Sequence, residues 1–248
     1  MRNQDYKLLL FLVFIFLFSC KKEEEKNADF VIYQTNPKKD TLKFFWKNDM
    51  NIPLKNLKNL KEFVDLKKQN LKFAMNGGMF IQNNIPKGLY IENYKTLIPI
   101  DTLSGEGNFY LEPNGVFCVT QSNVYEILPS QDFQFNSKIK YATQSGPMLI
   151  VNGKVNAIFQ KNSKNLNIRN GVGILKNGEV VFAMSKKEIS FYDFAELFKN
   201  MGCNNALYLD GFVSRAYLPK EKWIQKDGDF GVMIGVVGEH WNKAYHCN

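Results

Sequence analysis

Short apolar runs, punctuated by Asn-Gly pairs and lone glycines, dominate the chain, and that pattern predicts many strands and few helices. The segments DFVIYQ (29–34) and TLKFFWK (41–47) read as strands, with Asn36-Pro37-Lys38-Lys39 between them as the turn of a hairpin. Pro53 opens a predicted helix running to about Lys67, with Leu54, Leu57, Leu60, Phe63 and Val64 on one stripe and lysines opposite. A buried strand is expected over 71–80, breaking at Asn76-Gly77-Gly78. A hairpin over 88–100 should turn at Asn93, and another over 108–119 should turn at Pro113-Asn114-Gly115. The same device recurs over 148–156 at Asn152-Gly153 and over 173–185 at Asn177-Gly178. Ser190, with Asp193 three residues on, forms a capping box for a second helix whose apolar face is Phe191, Phe194, Ala195, Leu197, Phe198 and Met201. Gly202 ends it. The strands 206–209 and 230–238 follow. Hairpins outnumber helices, so the expected class is α+β: one domain with a mostly antiparallel or mixed sheet core and a few flanking helices.

The N-terminal pattern differs. A basic start is followed by the apolar run Leu8–Phe18 and then Ser19-Cys20, which reads as a secretory signal over 1–19. The run falls short of the roughly 20 residues of a membrane span. Leu17-Phe18-Ser19-Cys20 resembles a bacterial lipobox, so Cys20 is expected to carry lipid. Residues 20–28 then form a lipidated N-terminus and tether, and 29–248 the globular domain. This places the protein in the bacterial cell envelope, lipid-anchored on the periplasmic or outer surface.

Composition narrows the function. The net charge is +8; removing residues 1–19 takes away two basic residues and one acidic, leaving +7. The lysines are scattered along the sequence, so no nucleic-acid groove is read, while a mild positive field favours anionic substrates. Beyond Cys20 there are Cys118, Cys203 and Cys247, so at most one pair can close within the chain. With two histidines and no CxxC, no metal site and no cofactor motif are read. Oligomeric state is left open.

The candidate chemistry lies at the edges of buried runs. Asn76 and Gly77 end a strand as either a tight turn or a polar wall for a sugar or phosphate. Gln144, Ser145 and Gly146 read as a polar loop entering the strand MLIV, with Ser145 better suited to a hydrogen bond than to nucleophilic attack, because no G-x-S-x-G elbow surrounds it. Arg169 precedes Gly171 and Gly173, which permit close backbone approach, and its planar fork suits a phosphate. Asp210 ends the apolar run ALYL just before Gly211 and Ser214, a position from which a carboxylate faces a cleft.

NGGMF, GLYI, GNFYLEPNGVF, ATQSGPMLIVNGK, RNGVGI, SFYDFAELF and ALYLDGFVSR follow one another over residues 76–215. In this order they resemble the phosphodiester glycosidase family. The resemblance implies hydrolysis of the bond between an anomeric carbon and a phosphodiester, in envelope or extracellular glycans. It also implies that Asn76, Gly77, Ser145, Gly146, Arg169, Asp210, Gly211 and Ser214 sit at or near the site. From their chemistry, Asp210 and Arg169 are expected to carry the catalysis, with Asn76, Gly77, Gln144, Ser145, Gly146, Gly211 and Ser214 binding substrate. The alternative is a non-catalytic surface lipoprotein that binds anionic glycans. One departure is that Phe212 and Val213 follow Gly211 where many relatives have further glycines.

Overall fold

The structure is a computed structural model and describes residues 28–36 and 40–239. The signal, the Cys20 lipidation, Cys247, His240 and His246 lie outside the described residues. In chain order the elements are β1 (Phe30–Gln34), β2 (Thr41–Phe45), α1 (Leu57–Leu66), β3 (Gln69–Asn76), β4 (Phe80–Ile81), β5 (Ile85–Pro86), β6 (Tyr90–Glu92), β7 (Lys95–Ile98), β8 (Gly115–Thr120) and β9 (Tyr125–Pro129). Then come β10 (Ile139–Ser145), β11 (Met148–Val151), β12 (Lys154–Val155), β13 (Asn170–Leu175), β14 (Val180–Ser185), α2 (Phe191–Asn200), β15 (Cys203–Tyr208), β16 (Ala216–Leu218), β17 (Trp223–Ile224) and β18 (Met233–Glu239).

Three antiparallel sheets enclose the core, in the orders β1-β14-β13-β15-β11-β12, β7-β6-β10-β8-β9 and β17-β16-β3-β18-β2. Their inner faces meet in one cluster that includes Val31, Phe44, Phe73, Phe117, Phe182 and Leu209. The two helices cover outer faces. Helix α1 lays Leu57, Leu60 and Val64 on the third sheet, and α2 lays Phe194 and Phe198 on the first. This is the expected α+β class. Asn56 caps α1 and Ser190 caps α2, each accepting a backbone N–H three residues on.

Three local expectations are overturned. β1 and β2 are not a hairpin: β1 pairs with β14 and β2 with β18, because their apolar sides are needed in different sheets. Residues 108–119 are not a hairpin either. Asn108–Tyr110 is a single 3-10 turn, Glu112–Pro113 is cis, and β8 pairs instead with β9. Gln144 and Ser145 are not loop residues but the end of β10, the central strand of the second sheet.

Candidate active site

β13 and β15 run antiparallel with Gly171 opposite Tyr208 and Val172 opposite Leu207. Continued two residues past the last pair, that register sets Arg169 opposite Asp210. Directly opposed residues in an antiparallel pair share a face, so the two sequence candidates stand on one side of the same sheet end.

A polar knot fixes the turn that carries Asp210. Its backbone N–H donates to Asn170 Oδ1 at 2.9 Å, and its carbonyl accepts from Asn76 Nδ2 and Ser214 Oγ, each at 2.9 Å. Asn170 Nδ2 donates to the carbonyl and Oδ1 of Asn76, and Asn76 Oδ1 also accepts the Arg215 N–H. Ser145 Oγ donates to the neighbouring Leu209 carbonyl at 2.6 Å. Asn76, Ser145 and Ser214 are thus buried and engaged with the main chain around Asp210. Gln144 is equally committed. Its Oε1 accepts from the Leu89 and Asp101 N–H groups, and its Nε2 donates to the Asp101 carbonyl and Asn114 Oδ1.

The glycines make room for protein atoms. A Cβ at Gly77 would meet Ile234 at 2.5 Å, and one at Gly146 the Phe109 carbonyl at 2.6 Å. Gly171 and Gly173 leave space for the rings of Phe194 and Phe198, so helix α2, rather than a ligand, occupies the approach expected there. At Gly211 a side chain would overlap the Tyr208 hydroxyl.

Asp210 is 8% exposed, and among the described residues it forms no ion pair. Burial pushes its carboxyl up to about 7, while the Phe212 N–H, 3.3 Å from Oδ1, pulls the other way. Phe212 itself is 91% exposed.

Arg169 is fully buried. Its Nε donates to the Ile189 carbonyl at 2.8 Å, and its Nη2 to the Asn165 carbonyl and Oδ1 at 2.9 and 3.1 Å. The guanidinium lies 3.6 Å over the Phe191 ring, at the first turn of α2. Nη1 is buried with no hydrogen-bond partner. The Tyr208 hydroxyl comes close to the guanidinium without giving Nη1 a well-formed hydrogen bond, and it also feels the charge of Asp210. Burial pushes the Tyr208 phenol up to about 12, with Arg169 opposing that shift. Tyr208 is thus the residue whose titration both candidates influence, with its ring 5.6 Å from the guanidinium.

Three residues missed by sequence reasoning, Tyr208, Asn170 and Asn165, complete the arrangement. Tyr208 was hidden inside ALYL as one more large residue, and Asn170 was overlooked beside Arg169. The residues over Arg169 also border a cavity of about 200 Å³ lined by Phe159, Ser163, Asn165, Phe191 and Tyr192. A larger hollow of about 610 Å³ lies along the outer side of α2, between Phe30, Tyr192, Leu197 and Met201. Neither is lined by Asp210. Among the described residues, no three His, Cys, Asp or Glu side chains gather where they could hold a metal ion.

A family model described as phosphodiester glycosidase matches residues 69–236. The Escherichia coli (strain K12) protein YigE, itself uncharacterised, is 38% identical over 187 residues, covering 75% of this chain and 73% of that one. Among solved structures, the catalytic domain of zebrafish N-acetylglucosamine-1-phosphodiester alpha-N-acetylglucosaminidase, auto-inhibited by its pro-peptide, matches with a TM-score of 0.56. The match covers 84% of this chain and 82% of that chain, at 12% identity. An exported protein of Burkholderia pseudomallei matches with a TM-score of 0.56 over 84% of this chain and 73% of that chain, at 10% identity. At these identities the two structures share the fold.

Proposed function

The chain belongs to the phosphodiester glycosidase family, and on that footing we propose that it hydrolyses the bond between a sugar's anomeric carbon and a phosphodiester in an envelope or extracellular glycan. The observation that carries the reading is the opposition of Asp210, an unpaired and buried carboxyl, to Arg169, whose Nη1 lacks a partner. A buried donor left unmatched costs about 1–3 kcal/mol, which an arriving phosphate oxygen would recover.

In the proposed reaction a water oxygen bonds to the anomeric carbon as the carbon–oxygen bond to phosphate breaks. The electron pair leaves with the phosphate, and the water proton passes to Asp210. Direct attack by Asp210, followed by hydrolysis of the glycosyl ester, is the retaining variant. A phosphate monoester departs as a stable anion, so the second carboxyl of ordinary glycosidases is dispensable here. Arg169 would offset the charge growing on that anion, an effect worth roughly 2–4 kcal/mol at the transition state. Arg169 is fully buried, so a substrate phosphate must displace part of its cover to reach Nη1. A carboxyl titrating near 7 is well placed to exchange a proton at neutral pH.

The covering of Arg169 is also what favours the second reading, a non-catalytic protein that binds anionic glycans. The deciding experiment incubates the mature protein with methyl N-acetylglucosamine-1-phosphodiester and follows free sugar and methyl phosphate by NMR. Release by the wild type and its loss in folded Asp210→Asn supports the hydrolase. Full turnover by Asp210→Asn removes it, and binding without turnover by the wild type selects the alternative. The signal and lipobox support placement at the envelope through lipid on Cys20. Cys20→Ala should release the protein from the membrane fraction.

A further inference from the structure

A second polar region lies at the seam between the second and third sheets. Two adjoining hollows of about 450 Å³ each share Lys47, Asn48, Glu92 and Asn93 along their walls. Lys43 and Lys67 line one and Lys95 the other, while Lys140 is near enough for its charge to act on Lys43. Residues dispersed over a hundred positions of sequence are thereby gathered by the fold into one cationic groove.

Two carboxyls, Asp49 and Glu92, line the same hollows and offset part of this charge. Lys67 pairs with Asp49, but among the described residues Lys43, Lys47, Lys95 and Lys140 form no ion pair. Glu92, the other acid on the wall, accepts the Tyr90 hydroxyl at 2.6 Å, and burial raises its pKa. Burial first, then the charges of Lys140 and Lys67, pull the Lys43 ammonium below its ordinary pKa. Lysines crowded in this way gain most from an anion placed among them. Asn48, Gln69 and Asn93 lie on the same walls. Their side-chain oxygens already accept from the Met50 and Ile52 N–H groups, from Lys43 Nζ and from the Tyr141 hydroxyl, which leaves their NH2 groups to donate to sugar or phosphate oxygens. A walled groove with amides fits a chain of sugars better than it fits a flat lipid surface.

The groove is within reach of Asp210. Met233 pairs with Phe45 on one side and with Asn76 on the other. Phe45, on the groove wall, therefore stands level with Asn76, whose side chain holds the Asp210 carbonyl, at two strand spacings or about 10 Å.

We propose that this groove is an accessory site for a phosphate-bearing glycan, holding one part of the polymer while another part lies at Asp210. Only the second half of that statement rests on the hydrolase reading.

Binding of phosphomannan, by titration calorimetry at low and high salt, tests it. The wild type should bind, more weakly as salt rises, and neutral mannan should not bind. The triple variant Lys43→Gln, Lys47→Gln, Lys140→Gln should bind about ten-fold more weakly or worse. Arginine at the same three positions should restore binding. A charge-matched control on exposed lysines elsewhere, Lys154→Gln, Lys176→Gln and Lys220→Gln, should change affinity less than about two-fold. Thermal melting shows that the variants are folded. Equal losses in groove and control variants, or unchanged affinity in the groove variant, overturn the proposal. So does equal or tighter binding of tripolyphosphate or of phosphatidylglycerol vesicles. If Asp210→Asn retains turnover, the hydrolase reading falls while the groove stands.

Discussion

Asp210 and Glu92 are both carboxyls that burial lifts above the ordinary range, yet they are housed differently. Glu92 lies at the sheet seam with a phenol donating to it and lysines around it. Asp210 has only a long contact from the Phe212 N–H, while its main chain is held by Asn76, Asn170 and Ser214. At Glu92 the surroundings solvate the side chain. At Asp210 they fix the backbone and leave the side chain under-solvated. The second arrangement costs stability and preserves reactivity, which is what a proton-transferring group needs.

The comparison can be broken at several points. Asp210→Asn should lower kcat by about 10³-fold or more on a sugar-1-phosphodiester. It should also change stability in a pH-dependent way. Below about pH 3 the carboxyl is protonated folded and unfolded, so wild type and variant should unfold alike. Between 4 and 7 the unfolded chain releases a proton that the folded chain retains, so wild-type stability falls as pH rises. Above 7 the loss is complete, roughly 4 kcal/mol for a pKa raised from 3.8 to about 7. Denaturant unfolding at pH 8 should therefore find Asp210→Asn the more stable protein. For the same reason, if Asp210 is the base, wild-type kcat/KM should climb up to about pH 7 and then level off.

Arg169→Ala comes next. It strips donors from the Ile189 and Asn165 carbonyls and should cost about 3 kcal/mol in denaturant unfolding. Its loss of rate should shrink on substrates with more acidic phosphate leaving groups. Gly211→Ala displaces the Tyr208 hydroxyl and should reduce turnover about ten- to a hundred-fold, with a smaller change in melting temperature. Glu92→Gln should give the weakest effect, under about 1 kcal/mol at pH 8, because Tyr90 already supports the charge. An effect at Glu92 as large as that at Asp210 would erase the distinction.

Much of this was legible in the chain. Asn152-Gly153 and the Asn93 turn declare themselves through residues that tolerate positive φ, and the structure uses it at Asn93, Asn152, Gly153 and Gly178. Ser190 and Asp193 announced α2 by their capping chemistry. β10 was misread because Thr143, Gln144 and Ser145 look like loop residues. Their partners come from Leu89, Asp101, Asn114 and Leu209, and no local pattern encodes those contacts. The candidate site was read in the same uneven way. Arg169 and Asp210 could be singled out as polar groups beside apolar runs. The Asn76–Asn170 exchange and the placement of Tyr208 depend on pairings between distant strands.

The pairing of β13 with β15 has a consequence for how the activity could be lost. Side chains alternate at every step along a strand, so a shift of one position would send Arg169 and Asp210 to opposite surfaces. A gradual loosening of the molecule would then not dim the proposed hydrolysis by degrees. Each copy would either hold both charges on one side and work, or hold them apart and be inert.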